Sequence, residues 1–133
     1  MGMMPTAVRA LGEVALRVNH LDQMQAFYKD VIGLELMRRF EHAAFFRIAD
    51  GYAGHTAVLA LFDRNSPVEQ ARSTVDHLAF TIAVSDYEPQ RRRLEGLGLA
   101  VTTATHDWVH WRSIYVDDPE GNTVELVCYD PDV

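Results

Sequence analysis

Three side chains in this sequence stand where they could do chemistry together: Glu13, His77 and Glu125. Glu13 and His77 open two short alternating runs, EVALRV and HLAFTI, and Glu125 sits in the middle of a third, TVELVCY. A carboxylate held between apolar neighbours is costly unless a cation, a hydrogen-bond donor or solvent reaches it. One imidazole and two carboxylates can hold a divalent metal, with Fe(II), Mn, Zn, Co and Ni all suited to such nitrogen and oxygen donors, and leave positions open for substrate. The other reading open at this point is a wet polar cup in which Arg17, Tyr115 or water satisfies the same groups.

The elements that must position these residues are written twice. Residues 13–18 and 77–82 share alternation, an alanine in third place and a β-branched end, at an offset of 64. A helix should follow each. After the first strand, Met24, Phe27, Tyr28 and Val31 recur at helical spacing and Gly33 stops the run; after the second, Leu94 and Leu97 recur before Gly98. Ser85 and Glu88 have capping-box spacing, and Pro89 fits only a first helical turn. Three β-like runs then follow each glycine, near 34–40, 43–49 and 56–62, and near 99–104, 111–117 and 123–129. The predicted plan is an N-terminal tail (1–10), a βαβββ repeat (11–62), a linker (63–74) with a short helical turn at 68–71, and a second βαβββ repeat (75–130). The fold class is α+β, with the two repeats forming a curved mixed sheet around a cavity.

Alternation then sorts the faces. Glu13, Ala15 and Arg17 lie opposite the apolar set of the first strand, and His77, Ala79 and Thr81 lie opposite that of the fifth. Glu13 and His77 occupy equivalent places. If Asp117–Asn122 closes a hairpin, Tyr115 lies directly across from Glu125 and shares its face with Trp111 and Ser113. Trp111 is a candidate wall for a flat or apolar ligand, Arg17 and Phe45 are further substrate-binding candidates, and Tyr115 with Glu125 is the catalytic pair. In the stretch ATHDWVHWRS, His106 and His110 read as loop histidines able to serve as a general base near neutral pH.

Composition excludes other classes. The chain has 133 residues and a formal net charge of -7, which argues against nucleic acid and anionic membranes as partners. Arg91, Arg92 and Arg93 form its one basic cluster and read as a solvated helix face. The single cysteine, Cys128, precludes an intrachain disulfide and reads as a packed small hydrophobe. No apolar run is long enough to span a bilayer, and the expected location is cytoplasmic.

The segments VALRVNHLDQMQAFYKDVIGLEL (14–36), DHLAFTI (76–82) and IYVDDPEGNTVELV (114–127) together resemble the vicinal oxygen chelate superfamily. That group includes glyoxalase I, fosfomycin-resistance enzymes, extradiol dioxygenases, methylmalonyl-CoA epimerase and the bleomycin-resistance proteins. The resemblance implies metal ligands on the first and last strands of the repeats: His77 and Glu125 match the family pattern, and Glu13 replaces its usual histidine. Ala60 stands where glyoxalase I and the epimerase have another ligand, which points away from their proton-shuttling chemistry. Exchanging imidazole for carboxylate favours harder, oxygen-loving cations. The resemblance also implies a homodimer. Two functions follow: a divalent-metal-dependent enzyme, of dioxygenase or lyase type, acting on a small oxygen-chelating substrate, or a metal-free small-molecule-binding protein of the bleomycin-resistance kind.

Overall fold

A computed structural model describes residues 9–64, 75 and 77–133. The tail up to residue 8, the turn expected at 68–71 and the rest of the linker from 65 onward lie outside the described residues. The chain divides into two compact units, one for each repeat. Each unit is a four-stranded mixed sheet, so the α+β class and the two βαβββ modules stand as read from the sequence.

The first unit runs β1 (Glu13–Val18), α1 (Leu21–Ala26), a π-helical turn (Phe27–Ile32), β2 (Glu35–Arg39), β3 (Ala43–Tyr52) and β4 (His55–Asp63). Its strand order is β1-β4-β3-β2, with β1 parallel to β4 and the other pairs antiparallel. The helix ends where expected. Gly33 takes a left-handed φ of 90°, and both Gly33 and Leu34 donate their backbone N–H to the carbonyl of Tyr28. The widened turn buries Phe27 and Tyr28 side by side, their rings packed edge-on with centroids 5.2 Å apart. They close a core with Leu16, Val18, Met24, Phe46, Leu59 and Leu61, all buried. The register explains the selection: Leu16 pairs with Leu61 and Phe46 with Leu59, so one face of three strands is apolar.

The second unit runs β5 (His77–Thr81), a 3₁₀ turn (Val84–Asp86), α2 (Tyr87–Gly96), β6 (Thr102–His106), β7 (Trp111–Asp117) and β8 (Thr123–Tyr129), in strand order β5-β8-β7-β6. Tyr87, Leu94, Ile114, Val116, Val124, Leu126 and Cys128 are its buried apolar set. The capping box does not form: Ser85 lies inside the 3₁₀ turn, the helix starts from its N-cap Asp86 without a side-chain cap, and the Glu88 carboxylate pairs with Arg91 at 2.7 Å. The β6 strand begins three residues later than expected and runs through His106, so His106 is a strand residue and not a loop one.

The turn between β7 and β8 is closed by a buried aspartate. Asp118 Oδ1 accepts the backbone N–H groups of Glu120 and Asn122, its Oδ2 accepts the Asn122 amide, and Gly121 supplies the positive φ. This turn sets the register that places Tyr115 opposite Glu125.

Candidate functional site

The second sheet has two faces of opposite character. Leu78, Phe80, Ile114, Val116, Val124, Leu126 and Cys128 point to the helix side, as alternation requires. The other face carries His77, Ala79 and Thr81 from β5, Thr123, Glu125, Val127 and Tyr129 from β8, and Trp111, Ser113 and Tyr115 from β7. On it Ala79 pairs with Glu125 and Glu125 with Tyr115, so the small alanine leaves room above the carboxylate.

Glu125 is only 5% exposed, and each of its oxygens has a partner. Oε1 lies 3.1 Å from His77 Nε2. Oε2 accepts a 2.5 Å hydrogen bond from the hydroxyl of Ser113, a residue with no exposed surface. The serine therefore fixes one carboxylate oxygen and leaves the other beside the imidazole. Ser113 was visible in the sequence only as a neighbour of Tyr115 on the same face. Its diagonal position to a mid-strand glutamate was the available signal.

Tyr115 stands at the edge of this pair. Its ring meets that of His77 edge-on with centroids 6.5 Å apart, and its hydroxyl is 3.1 Å from His106 Nε2. Burial pushes the phenol above its usual range; contact with Ser113 opposes this and the Glu125 charge adds to it. The hydroxyl is thus held protonated. Trp111 and Tyr129 pair across β7 and β8 further along the same face, and are 44% and 60% exposed. His110 packs edge-on against Tyr129, with ring centroids 6.0 Å apart, and its Nδ1 lies against the carbonyl oxygen of Val133.

The other predicted residues belong to the first unit. Glu13, Ala15 and Arg17 are exposed on one face of β1, and Ala60 is buried opposite Ala15. Phe45 pairs with Ala60 on that same face and packs between Phe40 and Phe62, at centroid distances of 5.8 and 5.7 Å. Among the described residues no three His, Cys, Asp or Glu side chains gather into a metal-holding group within the second unit, where His77 and Glu125 stand as a pair.

The donor set of that pair fits a cation. Protein nitrogen and oxygen ligands lie at roughly 2.0–2.2 Å from a zinc-like ion, so two adjacent ligands of one ion are about 3 Å apart. His77 Nε2 and Glu125 Oε1 are 3.1 Å apart. The Ser113 hydroxyl gives the carboxylate the outer hydrogen bond that orients a ligand of this kind.

Two βαβββ modules are the plan of one fold family. The chain belongs to the glyoxalase/bleomycin resistance protein/dioxygenase superfamily, whose model matches residues 10–126. Among curated proteins it is similar to the glutathione transferase FosA of Serratia marcescens, with 29% identity over 119 residues, 90% of this chain and 80% of that protein. It is also similar to the metallothiol transferase FosB of Staphylococcus saprophyticus, with 26% identity over 121 residues, 90% of this chain and 76% of that protein. Among solved structures, a glyoxalase/dioxygenase from Nostoc punctiforme shares the fold with a TM-score of 0.74 at 21% identity, covering 98% of this chain and 97% of that one.

Proposed function

We propose that this protein is a divalent-metal-dependent enzyme acting on a small substrate that binds through two neighbouring oxygens. The observation that carries the proposal is the 3.1 Å convergence of His77 Nε2 and Glu125 Oε1, with Ser113 bonded to the other carboxylate oxygen. The names of the relatives, a glutathione transferase and a metallothiol transferase, support a metal-assisted transfer on this scaffold.

In this reading His77 and Glu125 hold the cation and Trp111 lines the substrate. In the first repeat, Glu13 is the candidate for a further ligand, and Arg17 and Phe45 are the candidates for substrate contact. The metal is one of Mn, Fe(II), Zn, Co or Ni, and the negative charge of Glu13 favours the harder ions. When bound, the cation supplies a Lewis acid for paired oxygens. The chain's own groups do the rest. The Tyr115 hydroxyl, kept protonated by burial, donates a hydrogen bond to charge developing on a substrate oxygen. His106 Nε2, 3.1 Å from that hydroxyl, can donate to the phenol oxygen and so orient it while the phenol's own proton faces the substrate. The protein is proposed to be a cytoplasmic homodimer.

A second reading keeps the same contact as a plain His–Glu ion pair in a metal-free ligand-binding protein. The two separate in one assay. Product formation from vicinal-oxygen substrates (catechols, diketones, and epoxides with a thiol) is followed by mass spectrometry with and without added Mn(II). The enzyme reading expects turnover that stops on chelation and in Glu125→Gln. Ligand binding that survives both treatments supports the second reading.

A further inference from the structure

The polar pair occupies only one end of its sheet face, and the composition of the rest describes what else the site takes. From Glu125 the face runs along β8 through Val127 to Tyr129, and along β7 through Ser113 to Trp111. Four residues of strand span about 13 Å. The face is therefore polar at the His77–Glu125 end and apolar, then aromatic, at the other.

Charge gives the second observation. Among the described strand residues on this face, none is Lys or Arg, while Glu125 and Asp117 are acidic. The arginine of β7, Arg112, points to the other side, where its guanidinium lies 4.0 Å over the Tyr87 ring. Between Glu125 and the Trp111–Tyr129 pair an anionic substituent would meet no Lys or Arg of the strands; Asp117 lies beyond Glu125 at the other end, and His106, paired with Trp111, is the titratable neighbour of such a substituent. A flat, neutral one would meet Val127, Trp111 and Tyr129. The two aromatic side chains stay 44% and 60% exposed although both are large and apolar at one end of the sheet. Such rings offer a ligand broad contact at little cost in conformational freedom.

We infer that the substrate consists of an oxygen-chelating head at His77 and Glu125 and an uncharged aromatic arm, which lies along β7 and β8 against Trp111 and Tyr129. This inference rests on the metal reading proposed above. Trp111 is the residue that sets specificity for the arm, and Glu125 holds the head.

Hydroxamates test it, because their two neighbouring oxygens give one chelating head for arms of different kinds. Naphthohydroxamate (aromatic arm), acetohydroxamate (no arm) and the monohydroxamate of succinate (anionic arm) are titrated calorimetrically into Mn(II)-loaded protein. The naphthyl compound is expected to bind at least about tenfold tighter than acetohydroxamate, with the succinyl compound weakest. The preference should fall below about threefold in Trp111→Ala and return in Trp111→Phe, with Mn(II) affinity unchanged in both. A naphthyl compound no tighter than acetohydroxamate on Mn(II)-loaded protein would overturn the inference alone. So would a preference that persists in Trp111→Ala. Wild-type protein that binds no Mn(II) would overturn the metal reading, and this inference with it.

Discussion

Removing one hydroxyl should reveal how the buried carboxylate is held. Ser113 has no exposed surface, and its hydroxyl donates to Glu125 Oε2 at 2.5 Å. In Ser113→Ala the oxygen keeps its charge and its burial but loses its donor. A hydrogen bond to a charged group contributes about 1.5–3 kcal/mol, and an orphaned buried acceptor forfeits most of that. At roughly 3–5 °C per kcal/mol for a chain of this size, the melting temperature should drop by about 5–12 °C. The second consequence is on ligation. With Oε2 released, the carboxylate can rotate, and its alignment with His77 Nε2 is lost. Loss of an outer hydrogen-bond partner costs about 10–100-fold in metal affinity. The assay pairs thermal unfolding of metal-free protein with calorimetric titration of Mn(II), for wild type, Ser113→Ala and Ser113→Thr. The threonine variant keeps the hydroxyl and should recover most of both losses. A Ser113→Ala protein as stable as wild type, with Mn(II) affinity within twofold, would refute the assignment of Ser113 as the group that orients Glu125.

Four further outcomes follow from particular positions. Gly51→Ala should destabilise the first unit by about 2–4 kcal/mol, because φ is +75° and the added methyl would overlap the carbonyl oxygen of His55; urea denaturation measures it. Burial raises the Cys128 thiol above its ordinary 9.0 and the Tyr87 phenol above 10.0, and neutral forms are what the fold accommodates. Because both folded values exceed the unfolded ones, this stability is complete below about pH 9 and is lost as pH rises beyond it, so the urea midpoint should fall between pH 9 and 10.5 while staying level from 7 to 8.5. Native Cys128 should also resist iodoacetamide at pH 8, and rapid labelling without denaturant would contradict its burial. Phe46→Ala, at a position with no exposed surface between Tyr28 and Leu59, should cost about 3–5 kcal/mol by thermal unfolding.

Much of this architecture was legible because two periods were written twice. Alternation in 13–18 and 77–82 gave the faces, and burial along β1 follows it: Glu13, Ala15 and Arg17 are exposed while Leu16 and Val18 are buried. Gly33 and the turn after Asp117 marked ends that the backbone confirms through left-handed φ and side-chain capping. Tyr115 opposite Glu125 came from counting back across that turn. What was not legible depended on tertiary competition. The Ser85–Glu88 spacing promised a cap, but Ser85 lies inside the 3₁₀ turn, and Arg91 and Arg112 draw on Glu88. The π-helical turn was not legible, because Met24, Phe27, Tyr28 and Val31 recur at ordinary α-helical spacing. The roles of Ser113 and His106 arise from diagonal and edge contacts between strands, and spacing along the chain does not report them.

The most direct test of the central claim is metal stoichiometry by plasma mass spectrometry, on untagged protein loaded anaerobically with Mn(II) or Fe(II), with Glu125→Ala and Glu13→His measured beside it. The account predicts close to one metal per chain in the wild type, none in Glu125→Ala, and a shift of preference toward Zn or Ni in Glu13→His. No bound metal under any loading condition, or full occupancy in Glu125→Ala, would contradict it.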